Sequence, residues 1–146
     1  MIARSEWTST DTNSSGFTAY SESGHTIRFD TTPEHREGPT PMECVLMSLC
    51  CCTQVDVVSI LMKKRQPLES VTVSAEAEQQ SQPPRYFNKI RLTYTVRGID
   101  RAPLCRKAVE DAVALSKDKY CSVSAMLEKA AQIDFVIDFA GVEPLP

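Results

Sequence analysis

Six cysteines carry most of the reactive chemistry open to this 146-residue chain: Cys44, Cys50, Cys51 and Cys52 in one apolar run, then Cys105 and Cys121. Cysteine is a small, commonly buried residue, so packing is the ordinary role of any one of them. Structural zinc needs paired ligands at Cys-x2-4-Cys spacing, so that four donors converge. Three consecutive helical cysteines instead point about 100° apart each, and His25 and His35 sit in polar stretches without ligand spacing. No metal and no cofactor is expected. Redox or nucleophilic work needs a thiolate, hence a local source of positive potential. Cys121 has one in sequence, because Lys119-Tyr120-Cys121-Ser122-Val123-Ser124 places it at the expected start of a short helix, where unpaired N–H groups favour an anion. Cys52 is mid-helix among apolar turns, and only a cation from another segment would offset its desolvation. Spacing selects Cys121 and leaves Cys52 open.

The elements that must hold these residues follow from periodicity. Short extended segments open the chain: Ile2–Trp7, a Ser/Thr/Asn/Asp loop at Thr8–Ser15, then a hairpin of Phe17–Tyr20 and Thr26–Phe29 around Ser23-Gly24. Asp30–Pro41 is a polar, proline-rich loop. Thr40 reads as an N-cap before Pro41, and the helix it opens runs to about Arg65 with basic residues at its C-terminal end. Apolar side chains fall on nearly every face of that helix. It therefore requires cover from its own sheet and from a second subunit.

Ser70–Ala77 and Phe87–Val96 alternate with period two and pair antiparallel. A break at Gly98–Pro103 precedes an amphipathic helix, Leu104–Lys117, with Ala108, Val109, Ala112, Val113 and Leu115 inward. A short helix, Ser122–Ala131, and a final strand, Ile133–Phe139, complete a single domain, 1–146, without repeats.

Composition narrows the function. The formal net charge of −3 comes with no basic stripe interleaved with aromatics, so nucleic acid is not an expected partner. Five glycines and no phosphate-cradling loop argue against nucleotides. The N-terminal residues lack a secretory pattern, and the cysteines then read as reduced thiols in the cytoplasm. Cys44–Met62 is apolar enough to invite a membrane reading, but Asp56 within it would cost roughly 2.5–3.5 kcal/mol near a bilayer centre. A buried core helix fits better.

The run Gly38-Pro39-Thr40-Pro41-Met42-Glu43, followed by an apolar helix reaching Cys52-Thr53, resembles the Gly-x-x-Pro-x-Glu opening and first cysteine of the OsmC/Ohr family. Cys121-Ser122-Val123-Ser124 resembles its second cysteine motif, and the order of elements fits over essentially the whole chain. The resemblance implies an α+β fold: antiparallel sheets packed around a long central helix, in an intertwined homodimer. It implies that Cys52 attacks an organic hydroperoxide, that Cys121 resolves the sulfenic acid, and that a small dithiol such as a lipoyl group restores both. It also implies an arginine braced by a glutamate. Arg28, in Ile27-Arg28-Phe29-Asp30, matches the family's Arg-Phe-acid segment, with Arg36 as the substitute, and Glu43 is the candidate brace. Three departures stand out. Met42 occupies the usual acid position, leaving Glu43 about 180° around the helix from Cys52 and placed to cap it. Ser122 stands where many relatives have proline, and Cys50 and Cys51 where they have small residues. Two other functions compete: a redox sensor or small-ligand-binding protein of the same fold, and a structural dimer with incidental cysteines.

Overall fold

Turn chemistry closes the first hairpin where the sequence places it. Gly24 takes a φ of +84°, a region open to glycine at no steric cost, and its N–H donates to Ser21 O at 3.0 Å. In a computed structural model, residues 1–7, 16–34 and 37–146 are described, so the expected loop Thr8–Ser15 and the candidate Arg36 lie outside the described residues. The chain divides into two compact units, Met1–Leu46 and Met47–Pro146.

The first unit holds strands β1 (Ala3–Glu6), β2 (Gly16–Ser21) and β3 (Thr26–Asp30) in one antiparallel sheet of order β1-β2-β3. Helix α1 (Pro41–Lys63) starts in this unit and runs on through the second. Its start is a reciprocal capping box. The Glu43 N–H donates to Thr40 Oγ1 at 3.2 Å, and Thr40 N–H and Oγ1–H donate to Glu43 Oε2 at 2.7 and 2.8 Å. Its end is a Schellman turn, in which Gln66 N–H reaches Leu61 O and Arg65 N–H reaches Met62 O. Arg65 fills the left-handed position, with φ 54°, where glycine is usual.

The second unit is built on a sheet of order β4-β5-β6, formed by β4 (Leu68–Gln79), β5 (Phe87–Gly98) and β6 (Gln132–Asp138). Strands β4 and β5 pair antiparallel as expected, but β6 runs parallel to β5, which corrects the expectation of antiparallel sheets throughout. The physical reason is the connection. Helices α2 (Arg106–Leu115) and α3 (Ser122–Leu127) lie between β5 and β6, a crossover long enough to return the chain to the strand's starting end. Register places Val71, Val73, Ala75 and Ala77 opposite Val96, Tyr94, Leu92 and Ile90 on one face, joined by Ile133, Phe135 and Ile137.

Hydrogen bonds from Gln54 Nε2 to Val71 O (2.6 Å) and between Thr53 Oγ1 and Tyr94 Oη (2.6 Å) tie α1 to the apolar face of that sheet. The helix buries only the stripe Leu49, Thr53, Val57 and Leu61, each four residues apart, while Met47, Val55 and Met62 remain exposed. By length and composition α1 is also the one described helix able to cross a membrane. On α2 the inward residues are Ala108, Val109, Ala112 and Val113, but Leu115 is exposed and Ser116 is buried. The 3.6-residue period prevails over residue type here, since 116 continues the stripe of 109, 112 and 113.

Relief of the left-handed strain yields the first prediction. Arg65→Gly should stabilise the protein by about 1 kcal/mol, the scale of the penalty for a Cβ in that region. Urea unfolding midpoints at constant m-value measure it.

Candidate functional site

The two cysteines singled out by sequence act on one another in the second unit. The Cys52 thiol is close enough to the Cys121 thiol to raise it, and both are free thiols. Cys52 comes from the middle of α1, on the turn that also points Leu49 and Thr53 inward. Cys121 arrives by a local irregularity. After Leu115 the chain makes one wide π-type turn, Ser116–Tyr120, closed by Cys121 N–H donating to Ser116 O at 2.8 Å. Such turns recur at functional sites. Cys121 then becomes the N-cap of α3, its sulfur accepting from Ser124 N–H at 3.4 Å, as the expected helix start implies.

The electrostatic outcome differs from the expectation. Burial pushes the Cys121 thiol above its ordinary range, and the adjoining Cys52 thiol adds to the rise. The Ser124 hydrogen bonds pull the other way and lose. With 2% of its surface exposed, Cys121 is held as a neutral thiol. A single short helix turn offers too little positive potential to offset full desolvation. Cys50 is raised for the same reason, burial first and then the neighbouring Cys51.

Around the pair runs a buried polar network that sequence reading did not identify. Thr53 Oγ1 lies 2.6 Å from Tyr94 Oη and 2.9 Å from Ser116 Oγ, and Ser116 Oγ–H donates to Asp56 Oδ2 at 2.9 Å. Thr53, Tyr94 and Ser116 are all essentially inaccessible. Tyr94 is pushed up to about 12, chiefly by burial, with Cys121, Cys50 and Asp56 also raising it against the lowering bond from Thr53. A polar residue continuing an otherwise apolar helical stripe, Thr53 on α1 and Ser116 after α2, was the available signal.

The candidate cation lies in the first unit. Arg28 Nε and Nη2 both donate to Glu37 Oε2, at 2.9 and 2.6 Å, and Nη1 donates to Thr18 Oγ1 at 3.0 Å. Among the described residues Glu37 is an acid paired with Arg28, and Glu43 accepts hydrogen bonds in the capping box of α1. Glu37 stands one residue before the glycine of the Gly-x-x-Pro opening. Its placement depends on Asp30, buried to 1% exposure. Asp30 accepts from Thr32 N–H, Thr32 Oγ1–H and Glu37 N–H at 2.8, 2.7 and 3.3 Å, which folds the loop back on β3. Gly38 permits that return: a Cβ there would sit 1.9 Å from Arg28 O. Among the described residues no group of three or more His, Cys, Asp or Glu side chains is arranged to hold a metal.

An α+β chain with a long helix carrying one cysteine, a second cysteine at a later helix start, and an arginine–glutamate pair ahead of a Gly-x-x-Pro opening defines a thiol protein of a recognisable class. The family model for OsmC-like protein matches residues 33–136, and the chain belongs to that family. It is 43% identical over 133 residues to Protein YhfA of Escherichia coli strain K12, covering 91% of this chain and 93% of that protein. A crystal structure of a hypothetical protein from Aquifex aeolicus VF5 superposes with a TM-score of 0.74 at 29% identity, covering 94% of this chain and 95% of the other. An organic hydroperoxide resistance protein OsmC from Legionella pneumophila shares the fold, with a TM-score of 0.67 at 14% identity over 94% of this chain and 95% of its own.

Gly38→Ala should force the loop off β3 and destabilise the protein by about 1–3 kcal/mol, the range for overpacking a tight site. The shift in thermal midpoint of the purified variant measures it, and an unchanged midpoint would show that the loop closes without this contact.

Proposed function

We propose that the protein is a thiol-dependent peroxidase that reduces organic hydroperoxides, with Cys52 as nucleophile and Cys121 as resolving thiol. The observation that carries this reading is that the two thiols, one at a helix N-cap and one mid-helix, are close enough for Cys52 to raise Cys121. Membership of the OsmC-like family supports it. So do the names of two structural neighbours, organic hydroperoxide resistance proteins from Legionella pneumophila and Elizabethkingia anophelis.

The cycle balances as follows. The Cys52 thiolate attacks one oxygen of ROOH, the O–O bond breaks, and the alkoxide leaves and takes a proton to become ROH. Cys52 is left as sulfenic acid. Cys121 gives up its proton and its sulfur attacks the Cys52 sulfur. The S–O bond breaks, hydroxide departs and is protonated to water, and the disulfide forms. A dithiol such as a lipoyl group then reduces that disulfide by exchange through its own thiolate. A neutral, buried Cys121 suits this order of events, since it does not compete with Cys52 for peroxide.

Arg28, oriented by Glu37, is the cation proposed to favour the Cys52 thiolate, following the family resemblance. Glu43 acts by capping α1. The exposed residues Met47, Cys51, Val55 and Met62, along one side of α1, support a homodimer in which a second copy covers them. Six thiols that must be re-reduced suit a cytoplasmic location.

Dihydrolipoamide-dependent consumption of cumene hydroperoxide should fall to background in Cys52→Ser. Cys121→Ser should complete one turnover and stop as Cys52 sulfenic acid, trapped by a carbon nucleophile and seen by mass. Trapping without turnover in the unmodified protein would favour a redox sensor instead.

Arg28→Ala should remove that support for the thiolate, about a tenfold loss of rate for each 1.36 kcal/mol of stabilisation given up. The peroxide rate near neutrality should drop about tenfold and converge with the unmodified protein at alkaline pH, where both thiols are ionised. An identical pH–rate profile would take Arg28 out of the site.

A further inference from the structure

One residue is bonded to both cysteine-bearing segments. Ser116 ends α2, its N–H reaching Ala112 O and Val113 O. Its carbonyl accepts the Cys121 N–H at 2.8 Å, the bond that closes the wide turn. Its hydroxyl lies against α1: Oγ is 2.9 Å from Thr53 Oγ1, 2.9 Å from Asp56 Oδ2 and 3.5 Å from Thr53 O. A hydroxyl has one proton and two lone pairs, so Ser116 donates to one of the two acceptor-only oxygens and accepts from Thr53. Whichever oxygen takes the proton, Oγ is seated within a single turn of α1, and Thr53 directly follows Cys52.

Among the described residues no other side chain of the wide turn hydrogen-bonds α1. Lys117 pairs with Glu128 at 3.6 Å, and Lys119 lies over the Tyr120 ring at 5.5 Å. Both ties stay within the turn and the helix that follows it, and the ion pair is partly exposed and adds little. Ser116 is fully buried on the stripe of Val109, Ala112 and Val113. Alanine would fill that position without carrying a polar atom into the core. The hydroxyl adds a desolvation cost that its bonds to α1 offset.

We propose that Ser116 is a positioning residue that sets the separation of Cys52 and Cys121, its hydroxyl fixing α1 and its carbonyl fixing the Cys121 backbone. A disulfide tolerates only a narrow range of Cα separation and Cβ direction. A shift of the wide turn along α1 therefore acts directly on the equilibrium between dithiol and disulfide. Groups held in bonding geometry gain a high effective concentration, and a displacement of about 1 Å costs on the order of a hundredfold. The clasp deepens the resolving step of the proposed cycle and rests on the pairing of Cys52 with Cys121.

The equilibrium is read without peroxide. Reduced protein is brought to equilibrium with glutathione and glutathione disulfide at fixed pH. One glutathione disulfide takes both electrons and both protons, leaving two glutathione thiols and the Cys52–Cys121 disulfide. Acid quenching, thiol blocking and fragmentation of the linked peptide give the oxidised fraction at each ratio. Ser116→Ala should lower the effective concentration of the two thiols at least about tenfold, a potential about 30 mV less reducing. Asp56→Ala removes part of the α1 end of the clasp at a half-buried position and should shift the potential the same way. The double variant should shift it no further than Ser116→Ala alone, since the two residues share one bond. Tyr94→Phe deletes another hydrogen bond of the buried network but leaves both ends of the clasp, and should leave the potential in place. An unmoved potential in Ser116→Ala, an equal shift in Tyr94→Phe, or additive shifts in the double variant overturns the clasp. So does the absence of the linked peptide from the unmodified protein at every ratio. These shifts in a protein that consumes no peroxide would remove the peroxidase reading and leave the clasp standing.

Discussion

Desolvation of the Cys121 sulfur beside the Cys52 thiol is the constraint on which the second unit is organised. A thiol that loses water must either stay neutral or find a compensating charge, and here burial outweighs the hydrogen bonds from Ser124. Several structural details serve that burial. The wide turn Ser116–Tyr120 turns Cys121 inward, and the same turn delivers the Ser116 hydroxyl to Thr53 and Asp56. The T-shaped contact of Tyr94 with Phe135, ring centroids 6.4 Å apart, ties β6 to the strand that carries the phenol. Parallel pairing of β6 with β5 is what brings Phe135 opposite Leu92, next to Tyr94. Remove the crossover and neither the thiol nor the phenol has its neighbour.

Polar groups sealed in such a core are costly unless every donor and acceptor is matched, because an unpaired one forfeits its hydration outright. Among the described residues no buried side-chain nitrogen or oxygen lacks a partner. Matching could have been achieved more simply with alanine and phenylalanine at 53 and 94. A hydroxyl chain that ends on the Asp56 carboxylate in a pocket wall is an arrangement that apolar packing would not produce. The first unit shows the same economy in another form. Asp30 is buried, and among the described residues it accepts hydrogen bonds from Thr32 and Glu37, in the loop that carries Glu37 to Arg28.

Much of this was legible from residues alone, and the reasons divide cleanly. Strong periodicity marked β4 and β5, and a threonine before proline with a long apolar run behind it marked α1, because these signals are local. Cys121 also resolved locally, by its position at a helix start, whereas Cys52 was singled out only by the family resemblance. What sequence could not supply was direction. Whether a strand after a helical connection pairs parallel or antiparallel depends on which edge of the sheet is open, and nothing between Ile133 and Phe139 records that. Leu115 was assigned inward by its side chain, while the helical period placed Ser116 there instead. The partner of Arg28 was sought in the helix, at Glu43, although the capping geometry of Thr40-Pro41-Met42-Glu43 already gave that carboxylate a local use.

That last case bears on how the family's opening motif works in this chain. A glutamate three residues beyond an N-cap threonine satisfies backbone donors that would otherwise be orphaned, so it secures the first turn of α1. Glu37, outside the helix, orients the Arg28 guanidinium, and that pairing needs a loop that folds back tightly. Gly38 meets that need through its missing Cβ, since any larger residue would collide with Arg28 O. The glycine of the Gly-x-x-Pro opening and the arginine of the preceding strand are therefore one mechanical unit. Their separation in sequence is the length of loop that Asp30 must fold.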